Sequence, residues 1–282
     1  MLSLDTITYL WGTWLAGTYG TRLRFTASFN YAAHEELNPY PAFECHAQVL
    51  DLNYDGSSLP TGASNVAHHL WYDNATERAQ TEQFEFGSST QQTFTWSVTT
   101  ALELGIELSM TAGVPDTLST SEKVSVKLTL SSTSSESHTA EQEWKVNTEV
   151  TVPAQSSVLA QMVIDEQSYD IDWTARVKVT GCTAIWFEDQ VSLSVSAGFH
   201  NLWFVPIQEM LAQATRAGID TSGFELQDDG IIGVATGTFT GGQGISVAAQ
   251  ATQHPLRTSG GAAKAGGIPL LFGAVHAGSV AV

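Results

Sequence analysis

From Phe84 onward the apolar residues of this chain fall on alternate positions with unusual persistence. They run Phe84, Phe86, Phe94, Trp96 and Val98, then Leu102, Leu104, Ile106, Leu108, Met110, Ala112 and Val114. Between them stand Glu103, Gly105, Glu107, Ser109 and Thr111. A period of two is that of an extended strand, so the segment predicts one greasy face and one wet face. Pro115 to Glu122 is a turn candidate, after which Val124, Val126, Leu128 and Leu130 face one way and Ser125, Lys127 and Thr129 the other. Two amphipathic strands around a short polar tip predict a β-hairpin over about 102–130.

The flanks of this hairpin differ from it. Upstream lies FGSSTQQTFTWSVTT and downstream SSTSSESHTAEQEWKVN, long Ser/Thr-rich stretches with polar residues on both faces. Strands of this kind fix their register weakly in an ordinary sandwich and suit a thin sheet exposed on both sides. Farther on, Ile171, Trp173, Ala175, Val177 and Val179 alternate with Asp172, Thr174, Arg176, Lys178 and Thr180, the pattern of a half-buried strand, and alternation returns at Ile245, Val247, Ala249 and Ala251. One helix is predicted, from Val205 to Ala217, where Pro206 suits the first turn, Ile207, Met210, Leu211 and Ala214 share a face, and Gly218 ends it. The fold class is therefore mainly β, with long antiparallel strands and few short helices.

Three parts follow from the composition along the chain. Residues 1–80, rich in Trp and Tyr and broken by turn chemistry such as Asn38-Pro39 and Asp55-Gly56, predict an aromatic N-terminal lobe with which part of the later chain packs. Residues 81–255 carry the long strands and the hairpin. Residues 256–282 form a Gly/Ala-rich tail whose basic residues are Arg257 and Lys264.

Charge narrows the function. A formal net charge of −18 with 11 Lys and Arg excludes phosphate neutralisation as a binding mode, so no nucleic-acid partner is expected. It equally excludes simple electrostatic docking on anionic lipid. The first twenty residues lack the basic start and uninterrupted apolar centre of a secretory signal and read as mature protein. No run of about 18 apolar residues predicts a membrane helix, a test to which a spanning β-barrel is invisible. Two cysteines, Cys45 and Cys182, leave one disulfide open and rule out a disulfide framework.

Candidate chemistry is thin. Asp51-x-Asn53-x-Asp55-Gly56 opens like a calcium loop, but Gly62 stands where a bidentate Glu is needed and Pro60 intrudes. Cys45-His46 and His68-His69 lack zinc spacing. No nucleophile elbow or phosphate loop is present. Adjacent acidic pairs such as Glu35-Glu36 and Asp228-Asp229 would point to opposite faces of a strand. No catalytic residue, metal or cofactor is expected. Tyr9, Trp11, Trp14, Trp71 and Tyr72 are the candidates for a receptor-binding surface, core packing being the competing role of each ring.

The order of features resembles the aerolysin family of β-pore-forming toxins, especially its epsilon-toxin and mosquitocidal-toxin branch. Ser/Thr-rich strands bracket an amphipathic hairpin, and Val152 to Val158 (V-P-A-Q-S-S-V) follow. Then come a strand ending V-K-V-T-G at Val177 to Gly181 and G-T-F-T-G-G-Q-G at Gly237 to Gly244. The resemblance implies a secreted, elongated cytolysin, insecticidal in some members, with an N-terminal part that binds a glycan or protein receptor on the target-cell membrane. It also implies a homo-oligomer, commonly a heptamer, and activation by cleavage of a terminal peptide, for which Arg257 and Lys264 are the candidate sites.

In such a barrel Leu102, Leu104, Ile106, Leu108, Met110, Val114, Val124, Val126, Leu128 and Leu130 would face lipid. Glu103, Glu107, Ser109, Lys123 and Lys127 would face the lumen. No charge falls on the apolar face between Leu102 and Val114 or between Val124 and Leu130, where a base at mid-depth costs about 2–4 kcal/mol. Two other readings stand beside it: an ordinary core hairpin, and a β-rich carbohydrate- or receptor-binding protein that does not insert.

Overall fold

The computed structural model describes residues 2–29, 31–56, 60–115, 124–194 and 196–257, and the backbone of 268–270. The chain opens with α1 (Leu4–Thr18), a helix the sequence reading missed. Its signals are present: the Ser3 hydroxyl accepts from the Thr6 amide at 3.2 Å, and Leu4, Ile7, Trp11 and Leu15 recur at three- and four-residue spacing and are buried. The aromatic and β-branched residues between them hid the period. α1 packs on β1 (Leu23–Ala27), and three single turns of 3-10 helix at 31–33, 35–37 and 41–43 lead to β2 (His46–Tyr54) and β3 (Thr61–Asn74).

The long strands follow. β4 (Gln80–Thr100) enters a small hairpin, β5 (Ser109–Gly113) and β6 (Ser125–Thr129), and β7 (Ser135–Val152) returns beside β4. Next come β8 (Ser156–Thr180), β9 (Cys182–Val191), β10 (His200–Pro206), α2 (Ile207–Arg216), β11 (Phe224–Gln227), β12 (Gly230–Pro255) and β13 (Ile268–Leu270). The predicted helix at 205–217 is α2, starting two residues later because Val205 still pairs with Thr183.

β8 and β12 form the spine. They pair antiparallel from Val179 opposite Ile231 to Ser156 opposite Pro255, with one bulge at Gly244 to Ser246. At about 3.3 Å per residue the 25 residues of β8 extend about 80 Å. β2 and then β3 occupy the other edge of β8, so the order across the sheet is β2-β8-β12-β4-β7.

β4 pairs with β12 only from Thr93 to Thr100. Below that point the sheet splits into two layers, β4 and β7 over β3, β8 and β12. Phe84, Trp144, Val146, Val150 and Val152 close there on Val158, Ala160, Met162, Ile164 and Val247. At the opposite end β1, β9 and β10 form a separate three-stranded sheet under α1 and α2.

The boundary drawn at residue 80 does not coincide with a division in this fold. Residues 2–45 sit with β9, β10 and α2, whereas β2 and β3 belong to the long sheet.

The glycines of β12 are there for close approach. A Cβ on Gly237 would lie 2.0 Å from the Ser97 carbonyl and 2.2 Å from the ring of Trp173, a fully buried residue. Gly237→Ala should therefore destabilise the chain by about 1–3 kcal/mol and lower the thermal midpoint, while Gly17→Ala, with open space at its Cβ, should not. Matched midpoints for the two variants in a melting experiment would refute this packing.

Candidate functional site

Between residues 102 and 130 the described residues form a short antiparallel hairpin, folded up against the core. Strand pairing covers Ser109 to Gly113 against Ser125 to Thr129, with Met110 opposite Leu128 and Ala112 opposite Val126. Residues 116–123 lie outside the described residues, and with them Lys123 and most of the predicted turn. The expected single strand from Leu102 to Val114 is corrected: residues 101–108 leave the strand and turn at Gly105, whose φ is +87°. Only glycine adopts that conformation without strain.

Backbone bonds show what the turn does. Val98 N–H donates to Ser134 O at 2.8 Å and Leu102 N–H to Leu130 O at 2.9 Å, continuing the register in which Ser97 stands opposite Ser135. Leu130 then donates its own N–H to Leu108 O at 2.8 Å, and from there Ser109 stands opposite Thr129. Leu130 is thus held on both sides, by Leu102 and by Leu108. The six-residue step between them is spent in the excursion at 103–107. Relative to the sheet that feeds it, the hairpin is slipped by six residues.

The excursion wraps the N-terminus of α1. Leu4 N–H donates to Glu103 O at 3.0 Å, and the Asp5 carboxylate lies against Gly105, 2.1 Å from where a Cβ would stand. Desolvation by these walls pushes the Asp5 pKa up. Ser3, Asp5, Glu103, Gly105, Glu107 and Ser131 border a polar cleft of 670 Å3 at this root.

The apolar face of the hairpin is turned inward. Leu102, Leu104, Ala112, Leu128 and Leu130 are at most 1% exposed and Val124 is buried, while Ile106, Leu108, Met110, Val114 and Val126 pack half-buried against the same core. That core includes Phe94, Trp96, Trp173 and Phe239, so the hairpin covers the aromatic part of the sheet. Leu102 fills the space left by Gly233. On the opposite side Glu103, Glu107 and Lys127 are exposed and Ser109 is half-exposed.

A polar tie crosses this packing: Trp96 Nε1 donates to the Tyr54 hydroxyl at 2.8 Å, and that hydroxyl donates to Gly113 O at 2.5 Å. Burial holds the Tyr54 phenol above its usual pKa, which keeps the donor proton in place. The alternation of apolar residues gave no sign of this tether.

The five aromatic candidates for receptor contact are not brought together. Trp11 is fully buried, its Nε1 donating to Gln213 Oε1 at 3.0 Å, so its role as a direct contact is corrected to a core residue. Tyr9 and Trp14 are exposed on α1 at 59% and 42%. Trp71 and Tyr72 lie on β3, and Trp71 is covered by the Arg257 guanidinium at 4.5 Å from the ring centroid. The Tyr72 hydroxyl donates to Gln83 O. A further aromatic cluster joins exposed Tyr40 and Phe43 to half-buried Phe204, with the last two rings stacked at 4.6 Å.

Arg257 is exposed and its N–H donates to Ser157 Oγ, whereas Lys264 lies outside the described residues. Cys45 and Cys182 are free thiols, Cys45 Sγ donating to Cys182 O at 3.4 Å.

Long strands that splay into two layers, with a short amphipathic hairpin packed beneath them, define the aerolysin-like class of β-pore-forming folds. The family described as Clostridium epsilon toxin ETX/Bacillus mosquitocidal toxin MTX2 matches residues 21–264, and this chain belongs to it. It is a family of non-enzymatic pore-forming toxins. The chain is 30% identical over 261 residues to a protein named cytotoxin from Pseudomonas aeruginosa, covering 90% of each.

Solved structures agree on the fold. A non-toxic crystal protein from Bacillus thuringiensis superposes with a TM-score of 0.64 at 12% identity, over 91% of this chain and 98% of that one. The parasporin-2 toxin of Bacillus thuringiensis gives 0.58 at 20% identity, over 90% and 92%. A β-pore-forming protein from Brevibacillus laterosporus gives 0.56 at 18% identity, over 94% and 92%.

The tether at Tyr54 is open to test. Tyr54→Phe leaves Gly113 O and Trp96 Nε1 without this partner and should cost about 1–3 kcal/mol. Amide exchange should quicken at Ser109 to Gly113 while the β8–β12 amides stay protected. Equal acceleration in both places would mean the hydroxyl supports the whole sheet and does not hold the hairpin.

Proposed function

We propose that this chain is a secreted pore-forming cytolysin that binds a target-cell membrane, oligomerises and inserts a β-barrel made of one hairpin per subunit. The observation that carries this reading is the charge-free apolar face of the hairpin, buried in the folded chain and held at its rim by few polar ties. An isolated hairpin cannot enter lipid, because its edge N–H and C=O groups would go unpaired, whereas a closed ring of hairpins pairs them all. Assembly therefore precedes insertion. Leu102 to Leu130 would supply the wall, with Glu103, Glu107, Ser109, Lys123 and Lys127 toward the lumen. A heptamer is the expected ring size by family likeness.

The six-residue slip gives this conversion a definite path. If the excursion at 103–107 straightens into the register that already joins Leu102 to Leu130, Leu104 comes opposite Leu128, Ile106 opposite Val126 and Leu108 opposite Val124. A shift by an even number of residues keeps every side chain on its face. The apolar face stored against the core is then the one presented to lipid.

Receptor contact is assigned to the lobe around α1, β1, β9, β10 and α2, with a glycan or protein as partner. The tail is assigned an inhibitory role. β13 pairs with residues 251–253 of β12, on a stretch of that strand beyond the reach of β4. Cleavage at Arg257 or Lys264 would release this cover and leave an edge that can pair with a second copy.

Two experiments test the proposal. Dye release from susceptible cells and from vesicles of their lipids, with and without limited trypsin, should show leakage that trypsin increases, with an SDS-resistant oligomer on gels. Leu108→Asp should reduce leakage at least about tenfold with cell binding unchanged, because every subunit would place the carboxylate toward lipid. Equal loss of binding and leakage would count against the pore, and full lysis without trypsin would remove the inhibitory tail.

The slip is tested by locking it. Met110→Cys with Leu128→Cys places a cross-link between residues that are opposite only in the stored form. The oxidised double variant should be inactive and reduction should restore lysis. Lysis by the cross-linked form would show that the hairpin inserts without changing register.

A further inference from the structure

We infer that the cleft between α1 and α2 is a binding site for a neutral hexopyranoside. This deepens the receptor step of the pore-forming reading and rests on that reading for its purpose, though not for its chemistry. The cleft measures 420 Å3 and has two unlike walls. α1 and the residue that caps its end contribute Trp14 and Tyr19, large rings left 42% and 43% exposed, with buried Leu15 as part of the floor. α2 contributes Glu209, Gln213 and Arg216, whose spacing of four and three sets them along one face of the helix. A pyranose presents a flat flank of C–H groups and a rim of hydroxyls, so an aromatic wall opposite a polar one matches both of its surfaces.

The polar wall is held in place before any ligand arrives. Buried Trp11 donates Nε1–H to Gln213 Oε1 at 3.0 Å, and Gln213 Nε2 donates to Glu209 Oε1 at 3.2 Å. Arg216 donates Nε–H to Ala212 O at 3.2 Å, which lays the guanidinium along the helix. Fixing these side chains in the free protein lowers the ordering cost of binding. Trp11 acts here as a positioning residue, which accounts for an indole at the lobe's centre whose N–H is spent on a residue of the cleft. One carboxylate and one guanidinium offset each other, and the chain's net charge of −18 disfavours an acidic ligand, so the sugar is neutral.

Saturation-transfer NMR on the full chain tests this, with the methyl glycosides of glucose, galactose and mannose at about 10 mM, a concentration suited to millimolar single-sugar affinity. N-acetylneuraminic acid serves as the acidic arm. At least one neutral glycoside should show transfer, weakened tenfold or more in Trp14→Ala and in Glu209→Gln, and unchanged in Leu50→Ala, whose side chain is exposed on β2 outside the cleft. Melting midpoints identify any variant that misfolds, and Glu209→Gln carries the test if Trp14→Ala does. Absence of transfer from all three neutral glycosides, transfer that survives both cleft substitutions, or transfer from the acidic sugar alone would overturn the assignment. Leu108→Asp should bind the sugar normally. Sugar binding without leakage by the unmodified chain would sink the pore and keep the cleft, whereas leakage without sugar binding would sink the cleft alone.

Discussion

The ladder between β8 and β12 is the constraint on which the other elements depend. Two strands of 25 and 26 residues stay in register through a single bulge, and each offers its second edge to different partners along its length. β8 takes β2 and then β3; β12 takes β4 over a short stretch and β13 farther on. A ladder this long has to be thin and twisted, and it holds its layers close by removing side chains where they would collide. That is why β12 carries glycine at 237, 241 and 244, each under an aromatic ring of a neighbouring strand. The split where β4 leaves β12 then creates two unlike interiors, an aliphatic one between layers and an aromatic one beneath the single sheet.

The aromatic interior needs a cover, and the hairpin needs a place out of water. Each solves the other's problem, since neither could remain exposed without presenting a large apolar patch. The cover is held by apolar burial with few polar ties, among them Tyr54 to Gly113 at the tip side and Leu4 to Glu103 at the root. Apolar contacts are non-directional and would be regained if the same face met lipid, as proposed, whereas hydrogen bonds to the sheet would have to be replaced. A hairpin stored by its greasy face is stable in water and is not committed to its place.

The apolar face of the hairpin was legible because alternation is a local property of the sequence, and its described apolar residues at 102–114 and 124–130 pack on one core in the folded chain. The excursion at 103–107 was not legible, because Gly105 sits on the wet side of the pattern, where glycine breaks no alternation. Only the contact with Asp5, a hundred residues away, shows why the backbone turns there. α1 was missed for a different reason: its apolar stripe is carried by Trp, Ile and Leu interleaved with Thr, Tyr and Gly, residues of modest helix propensity. Its stability comes from burial against β1 and α2. Pairings between distant strands, which set the slip of the hairpin and the division of residues 1–80, leave no mark within any one segment.

Charge sets the last condition on the proposed assembly. β7 is an edge of the long sheet, and its outward face carries Glu141, Glu143 and Glu149 against a single Lys145, which already pairs with Glu143 at 3.8 Å. Edge strands guarded by like charges resist pairing with copies of themselves, and a net charge of −18 adds a general repulsion between subunits. Salt screens that repulsion beyond about 8 Å, so it bears most on subunits already side by side. A ring of such subunits is therefore unfavourable in dilute solution and requires a large gain in local concentration. A receptor that gathers subunits on one surface supplies it, since tethering turns a bimolecular encounter into a local one. In the proposed assembly, the acidity that disfavours direct docking on anionic lipid would also make ring formation depend on receptor binding and restrain it away from the target membrane.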